Sequence, residues 1–408
     1  MNSDVRRIFA AQAFRAAAYG FTSVFLGISL EARGWSSARV GLLLTAVVAG
    51  TAAMNLLVGT LGDRFGRRRT YAALFVGLAL SGLVFGSTTE QWALMAIALT
   101  GTISTDVVES GPFTSLEQGM LPAALGGRDP TRIFGRYNAV ATLTGSFGAL
   151  AAGGPALLRD AWTGLPADER FFLVLVPAGI VGALIALSLS EAVEDRPAGA
   201  AEPRRGLQKS RSRVVRLAGL FAVDSLAGGF AVQSFIAYWF RAKFDIQVEV
   251  LGAVFFGVGI LQTASFLAAT RIAERFGLLN TMVFTHLPSN LLLAAIPLAP
   301  TAGTAIALLL GRFALSQMDV PTRQAYIARM VEPGERTAAA AYTNSARYVV
   351  RPIGPALAGL AQQVTLGLPF FIAGGVKSCY DLALWSWFRR ISLEPEQPGD
   401  QPIEEVTV

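Results

Sequence analysis

The chain has 408 residues, 53% apolar and only 15% charged, and its 34 Lys and Arg against 28 Asp and Glu give a formal charge of +6. A mean hydropathy of +0.49 and so few charges exclude an ordinary soluble domain and make the bilayer the expected solvent. One cysteine, Cys379, excludes an intrachain disulfide or a thiolate metal site, one histidine, His286, excludes a histidine cluster, and no Gly-x-x-x-x-Gly-Lys loop is present to cradle a nucleotide.

A hydrocarbon core of about 30 Å takes roughly 20 apolar residues per helical crossing. Twelve candidate segments begin near Ile8, Val40, Thr70, Trp92, Ile133, Phe171, Val214, Val250, Thr281, Ala302, Ala338 and Leu366. The runs are continuous rather than alternating, which predicts helices and not a barrel. Residues 1–7 are too short for a cleavable leader, and no small-residue cleavage pattern follows before Glu31, so the first run is expected to stay as helix 1.

Helix 1 carries Arg15 at depth, and the loop after helix 2 reads Gly59-Thr-Leu-Gly-Asp63-Arg64-Phe65-Gly66-Arg67-Arg68-Arg69. Helix 4 carries Asp106, Glu109, Phe113 and Glu117 on one stripe, and either Asp106 or Glu109 is a candidate proton carrier. Residues 191–213, rich in Pro, Gly and basic side chains, read as a cytoplasmic linker. Helix 7 carries Asp224, the loop after helix 8 carries Glu274, Arg275 and Gly277, and His286 in helix 9 reads as structural. Helix 10 presents Arg312, Ser316, Asp319 and Arg323 at helical spacing, where Asp319 and Arg323 suit a local i,i+4 latch as well as a coupling role. Helix 11 presents Asn344, Arg347 and Arg351; Lys377 and Asp381 on helix 12 have the same i,i+4 spacing and read as a structural pair. Residues 391–408, polar and acidic with three prolines, are expected to be a disordered tail.

The second half repeats the first. The loop acid, Arg, Phe and Gly recur 211 residues on, and Asn138, Gly148 and Gly153 recur as Asn344, Gly354 and Gly359 at a constant offset of 206. Arg15 falls opposite Asp224 at an offset of 209. A charge facing lipid costs upward of about 2.5 kcal/mol, so both are expected to face the interior, either as a static pair holding the halves together or in substrate and proton handling. Lys and Arg gather in the even-numbered gaps and both tails, from Arg6 and Arg7 to Arg389 and Arg390, which predicts cytoplasmic termini. That basic face accounts for the positive charge without a nucleic acid partner.

Gly59, Leu61, Asp63, Arg64, Gly66, Arg67 and Arg68 resemble the signature loop between helices 2 and 3 of the major facilitator superfamily. The resemblance implies an all-α membrane protein with 12 transmembrane helices, arranged as two six-helix pseudo-symmetric parallel-repeat bundles, 1–190 and 214–390. It implies gating by Gly59, Asp63, Arg64, Gly66, Arg67, Glu274, Arg275, Asp319 and Arg323, with Asp63 against the start of helix 11 near Thr337 and Glu274 against the start of helix 5 near Thr131. Arg15, Asp106, Glu109, Asp224, Arg312, Arg347 and Arg351 are the expected cavity and coupling residues. The function implied is secondary active transport of a small solute by alternating access, not an enzyme and without a cofactor or metal, with proton-coupled efflux as the leading form. Uptake of an organic anion or zwitterion, oxyanion or metalloid efflux, and a non-transporting sensor or scaffold are the alternatives. The expected partners are a small-molecule substrate, protons and the lipid bilayer; the expected place is the cytoplasmic membrane, as a monomer. One departure stands out: proton-driven drug exporters of the family carry an Arg in helix 4, where this chain has Gly101, its counterpart Arg312 lying in helix 10.

Overall fold

The structure is a computed structural model that describes residues 3–105, 111–125, 131–155, 158, 162, 164, 168–194, 209–331 and 335–390, the side chains of 59–64, 122–125, 131–135, 168, 270, 328 and 336–338 excepted. Among the described residues the secondary structure is helical throughout. In chain order the helices are α1 Ser3–Ala32, α2 Ser37–Phe65, α3 Arg67–Ser87, α4 Gln91–Ala98, α5 Pro112–Leu125, α6 Thr131–Ala151, α7 Leu175–Leu187, α8 Arg211–Gly229 and α9 Gln233–Phe244. They continue as α10 Val248–Phe276, α11 Leu278–Ala295, α12 Ala302–Ser316, α13 Asp319–Met330, α14 Arg336–Val350, α15 Ile353–Val364 and α16 Leu368–Phe388.

Each expected crossing coincides with a helix or a pair of helices. The pairs α4/α5, α8/α9, α12/α13 and α14/α15 each make one interrupted span. Among the described residues seven segments are long and apolar enough to cross a membrane by length and composition alone, among them Ser3–Ala32, Arg211–Phe244 and Val248–Phe276. The remaining crossings include the interrupted spans α4/α5, α12/α13 and α14/α15, and α16, which carries Lys377 and Asp381. Outward-facing side chains are apolar along the bundle, as at Leu80, Leu184, Leu267 and Leu291, and exposed Trp92 and Trp387 mark span ends, the pattern of a lipid-facing surface with interfacial aromatics. As a small apolar residue Cys379 would ordinarily be buried, yet it is exposed on this surface.

The repeat is visible in backbone conformation. Gly66, between α2 and α3, has φ +85°, and Gly277, between α10 and α11, has φ +83°. A side chain at either place would be strained, which is why both loops keep glycine. Within each half the same packing recurs: α1 on α6 and α3 on α7 in the first, α8 on α14 and α11 on α16 in the second.

The halves meet at the end distant from Ser3 and Phe388, here called the far face, the other being the terminal face. Arg241 donates to Glu31 at 3.3 Å and the Tyr238 hydroxyl donates to the Trp35 carbonyl at 3.3 Å. The seam includes two pseudo-equivalent crossings, α2 on α15 and α10 on α6, together with the packing of α1 on α9. A Cβ on Gly41 would lie 2.4 Å from the Pro355 carbonyl oxygen, and one on Gly252 would lie 2.8 Å from that of Ala149. Gly41 and Gly252 are 211 residues apart, so one backbone contact has been used twice.

Larger side chains at these crossings should wedge the far face open while leaving each half folded. With Cys379→Ser as background and Ser37→Cys as reporter, Gly41→Leu and Gly252→Leu are each expected to speed maleimide labelling of purified protein by about threefold or more. Unchanged labelling in both would mean that the glycine crossings do not hold the seal.

Candidate functional site

The interruption of the fourth span sets the depth of the site. Helix α4 ends at Ala98, and Gly101 turns with φ +65° against the backbone of Gly50, where no side chain would fit. Residues 101–105 are buried, and the Thr102 hydroxyl shares a 2.9 Å hydrogen bond with Ser81. The Thr105 carbonyl accepts from the backbone N–H of Ser234 at 3.1 Å and its hydroxyl at 3.2 Å. Ser234 lies in the first turn after the interruption of the seventh span, so two broken helices of opposite halves are tied at depth. Backbone without a helical partner is tolerated at such depth only when enclosed by protein or lining a cavity. Asp106 and Glu109, the expected proton carriers, lie outside the described residues.

In the first half Arg15 of α1 is buried and pairs with Glu117 of α5, Nη2 to Oε2 at 2.8 Å and Nε to Oε1 at 3.4 Å. The Tyr71 hydroxyl donates to Glu117 at 2.5 Å, and the Tyr137 hydroxyl donates to the other carboxylate oxygen. The rings of Tyr19 and Phe113 lie 5.3 and 5.5 Å from the guanidinium carbon. Buried throughout, this network joins residues of four helices, so it holds α1, α3, α5 and α6 together.

The second half is built differently. Asp224 of α8 binds Lys377 of α16 at 2.5 Å. Asp381, one turn further along α16, lies 3.0 Å from His286 Nδ1 and accepts from Asn290 Nδ2 at 2.8 Å. On α13, Asp319 and Arg323 form the i,i+4 pair at 2.8 Å, with the Arg323 guanidinium 5.5 Å from the Phe221 ring. Arg312 of α12 is buried over the ring of Phe313, at 4.5 Å. A cavity of about 110 Å³ opens among α8, α13 and α14, and Arg347, Asn344 and Gln324 line it.

Several expected partnerships change. Arg15 and Asp224 do not meet: each has an oppositely charged residue nearer to hand within its own half, and neither is a bridge between halves. Lys377 and Asp381 do not pair with each other despite their spacing, since α8 and α11 supply each with a partner. Glu274 and Arg275 are exposed, and Arg275 stacks on the Phe276 ring at 5.5 Å. The side chains of Gly59, Asp63, Arg64, Thr131 and Thr337 fall outside the described ones.

Arg67 is buried, and its guanidinium donates to the carbonyls of Gly119 and Val193 at 3.3 Å each. Glu194 caps the start of α3, accepting from the N–H groups of Arg67 at 2.6 Å and Arg68 at 3.0 Å. Glu335 does the same for the approach to α8, accepting from the N–H groups of Lys209 at 3.0 Å and Ser210 at 3.1 Å. Both acids escaped the sequence reading because they lie in stretches without apolar periodicity. Glu117 stood on the helix 4 stripe, but nothing in the spacing singled it out over Asp106 and Glu109. Among the described residues no group of three or more His, Cys, Asp or Glu could hold a metal ion.

The model of the Major Facilitator Superfamily matches residues 8–355. An uncharacterized membrane protein of Saccharomyces cerevisiae, YJR124C, is 27% identical over 420 residues, covering 94% of this chain and 94% of that protein. An uncharacterized MFS-type transporter of Bacillus subtilis, YceJ, is 22% identical over 357 residues, covering 83% and 82%. Among solved structures, a point mutant of the nucleoside transporter NupG superposes with a TM-score of 0.74 at 14% identity, over 95% of this chain and 100% of that one. The inward-open xylose transporter XylE from E. coli superposes with a TM-score of 0.67 at 15% identity, over 97% and 98%.

Glu117→Gln and Arg15→Met should each lower stability by about 3–5 kcal/mol, because either leaves a buried group without its counter-charge. The double variant should lose less than the sum. Thermal unfolding in detergent reads all three, and additive losses would show that the two residues do not act as a pair.

Proposed function

The chain belongs to the major facilitator superfamily, a multi-pass membrane fold built for secondary transport rather than catalysis, and from that premise we propose that it exports a small solute in exchange for protons by alternating access. The observation that carries the reading is the one-ended seal. Among the described residues inter-half contacts gather at the far face and down to the depth of Ser234, while a cavity lined by charged and amide side chains lies toward the terminal face. A static scaffold has no need for such a cavity, nor for intramembrane ions that are costly to keep.

The Lys and Arg distribution supports a cytosolic terminal face and the cytoplasmic membrane as location. The site would then load from the cytosol in this conformation, as export requires. Coupling to protons rests on Asp106 and Glu109, two carboxyls carried by the sequence of the fourth span, whose affinity for protons would follow their hydration as access alternates. The gating role of Arg67 is supported by its burial between the end of α5 and the turn at Glu191–Glu194, which makes the terminal end of the first half one rigid block. A monomer is the proposed form, since the buried pairs Arg15–Glu117, Lys377–Asp224 and Arg323–Asp319 all form within one chain.

In everted vesicles with an acidified lumen, wild type is expected to release protons when a transported solute is added, and Asp106→Asn or Glu109→Gln to cut that release about tenfold or more. Proton uptake into the lumen would reverse the direction assigned here. Full release in both variants would remove helix 4 from the coupling.

A further inference from the structure

We infer that the cavity among α8, α13 and α14 is a binding site for a small oxyanion, a carboxylate or phosphate group of the solute, with Arg347 as its principal cation. The inference rests on the transporter reading for its physiological meaning, but not for its geometry. Arg347 makes no hydrogen bond or ion pair through its side chain among the described residues, and its Nε is fully buried without a partner. Leaving a guanidinium unmatched at depth costs several kcal/mol, so a missing counter-charge is the economical explanation.

The neighbours cannot supply that charge. Among the described residues the charged groups around Arg347 include Arg323, Arg351, Asp224 and Asp319. Asp224 is taken by Lys377 at 2.5 Å and Asp319 by Arg323 at 2.8 Å. What remains beside the cavity is positive. The other lining groups complete an anion receptor: Asn344 and Gln324 present exposed side-chain amides with N–H donors, and Phe221 forms an apolar wall that fixes Arg323 in place. A planar guanidinium with two flanking amides matches the paired oxygens of a carboxylate or phosphate.

The repeat shows that these cations are not needed to build the fold. At the offset of 206 that superposes Asn138 on Asn344, Arg347 and Arg351 correspond to Ala141 and Gly145. The first half makes the same span with no charge there. Arg347 lies 11 residues into α14 from its first residue, about 16 Å along the axis at 1.5 Å per residue, so the site is deep but reached from the terminal face.

The test is thermal unfolding of the purified full-length protein at constant ionic strength, with inorganic phosphate and benzoate as probes and D-xylose and uridine as neutral controls. Wild type should be stabilised by benzoate, phosphate or both and not by the neutral solutes; the anion that works identifies the headgroup. Arg347→Gln should raise the concentration needed by about tenfold or more, the loss expected for a charge-assisted contact. Asn344→Asp guards against a folding defect in that variant: its exposed carboxylate lies one turn from Arg347, so it should raise the unfolding temperature of the ligand-free protein and abolish the anion response. Equal stabilisation of wild type and Arg347→Gln by anions, or stabilisation by neutral solutes alone, would overturn the inference. Proton exchange with neutral solutes in vesicles would then leave the transporter reading standing. Anion binding that depends on Arg347 without any solute-driven flux would do the reverse.

Discussion

A bilayer gives a charge nothing to bind, and that constraint organises this molecule. Every ionised side chain carried to depth must find its counter-charge and its hydrogen bonds inside the protein, or face a solute that brings them. The first half answers with closure: one Arg, one Glu and two tyrosine hydroxyls bind one another in a buried network. The second half answers with a surplus. Three aspartates are shared among more cations than they can neutralise, and the excess is turned toward a cavity.

The asymmetry is set on a backbone that is nearly symmetric. Glycines with the same positive φ end the second and eighth spans, and paired glycine crossings seal the far face. Tertiary glutamates at 194 and 335 cap helix starts, one in each half. Duplication thus supplied the frame, and the charges that differ between the copies, such as Arg347 against Ala141, carry what the two halves do differently. Two separate pairs one turn apart on α16, Asp381 with His286 and Lys377 with Asp224, tie that helix to α11 on one side and to α8, the helix beside the cavity, on the other.

Spans were legible in the sequence because hydrophobic length is a one-dimensional property. Ten of the twelve predicted starts fall within the α-helices, Phe171 falls on the 3-10 turn Asp168–Val174 that leads into α7 and Leu366 lies two residues before α16, and the repeat offsets of the loops and of helix 11 survive as closely similar φ values and matching crossings. Partners were not legible, because they depend on which helices lie side by side. The i,i+4 rule found Asp319 and Arg323, where nothing better lay within reach. The same rule misled at Lys377 and Asp381, since facing helices offered Asp224 and His286. Arg15 and Asp224 occupy equivalent depths, yet equivalence under the repeat places residues in corresponding positions of different halves, which keeps them apart. Helix interruptions at Leu99–Thr105 and Phe230–Val232 were hidden too, for apolar and small residues continue through them without a break in hydropathy.

The distribution of strong and weak contacts decides where motion is cheap. Breaking a buried ion pair costs about 3–5 kcal/mol, and such pairs run within each half, so the halves resist deformation. The seam between them has backbone contacts at glycine crossings and the partly exposed Arg241–Glu31 pair, a class of interaction worth about 0–1 kcal/mol. Opening the far face therefore sacrifices little that contacts on the terminal face could not restore. The Thr105 and Ser234 bond joins the halves at mid-depth, close to the axis about which their ends would exchange, and there a rocking motion displaces atoms least. Occupancy of the cavity by an anion would pull α13 and α14 together through Arg323 and Arg347, adding to one access state an interaction the other lacks, which is what a ligand must do to shift the balance.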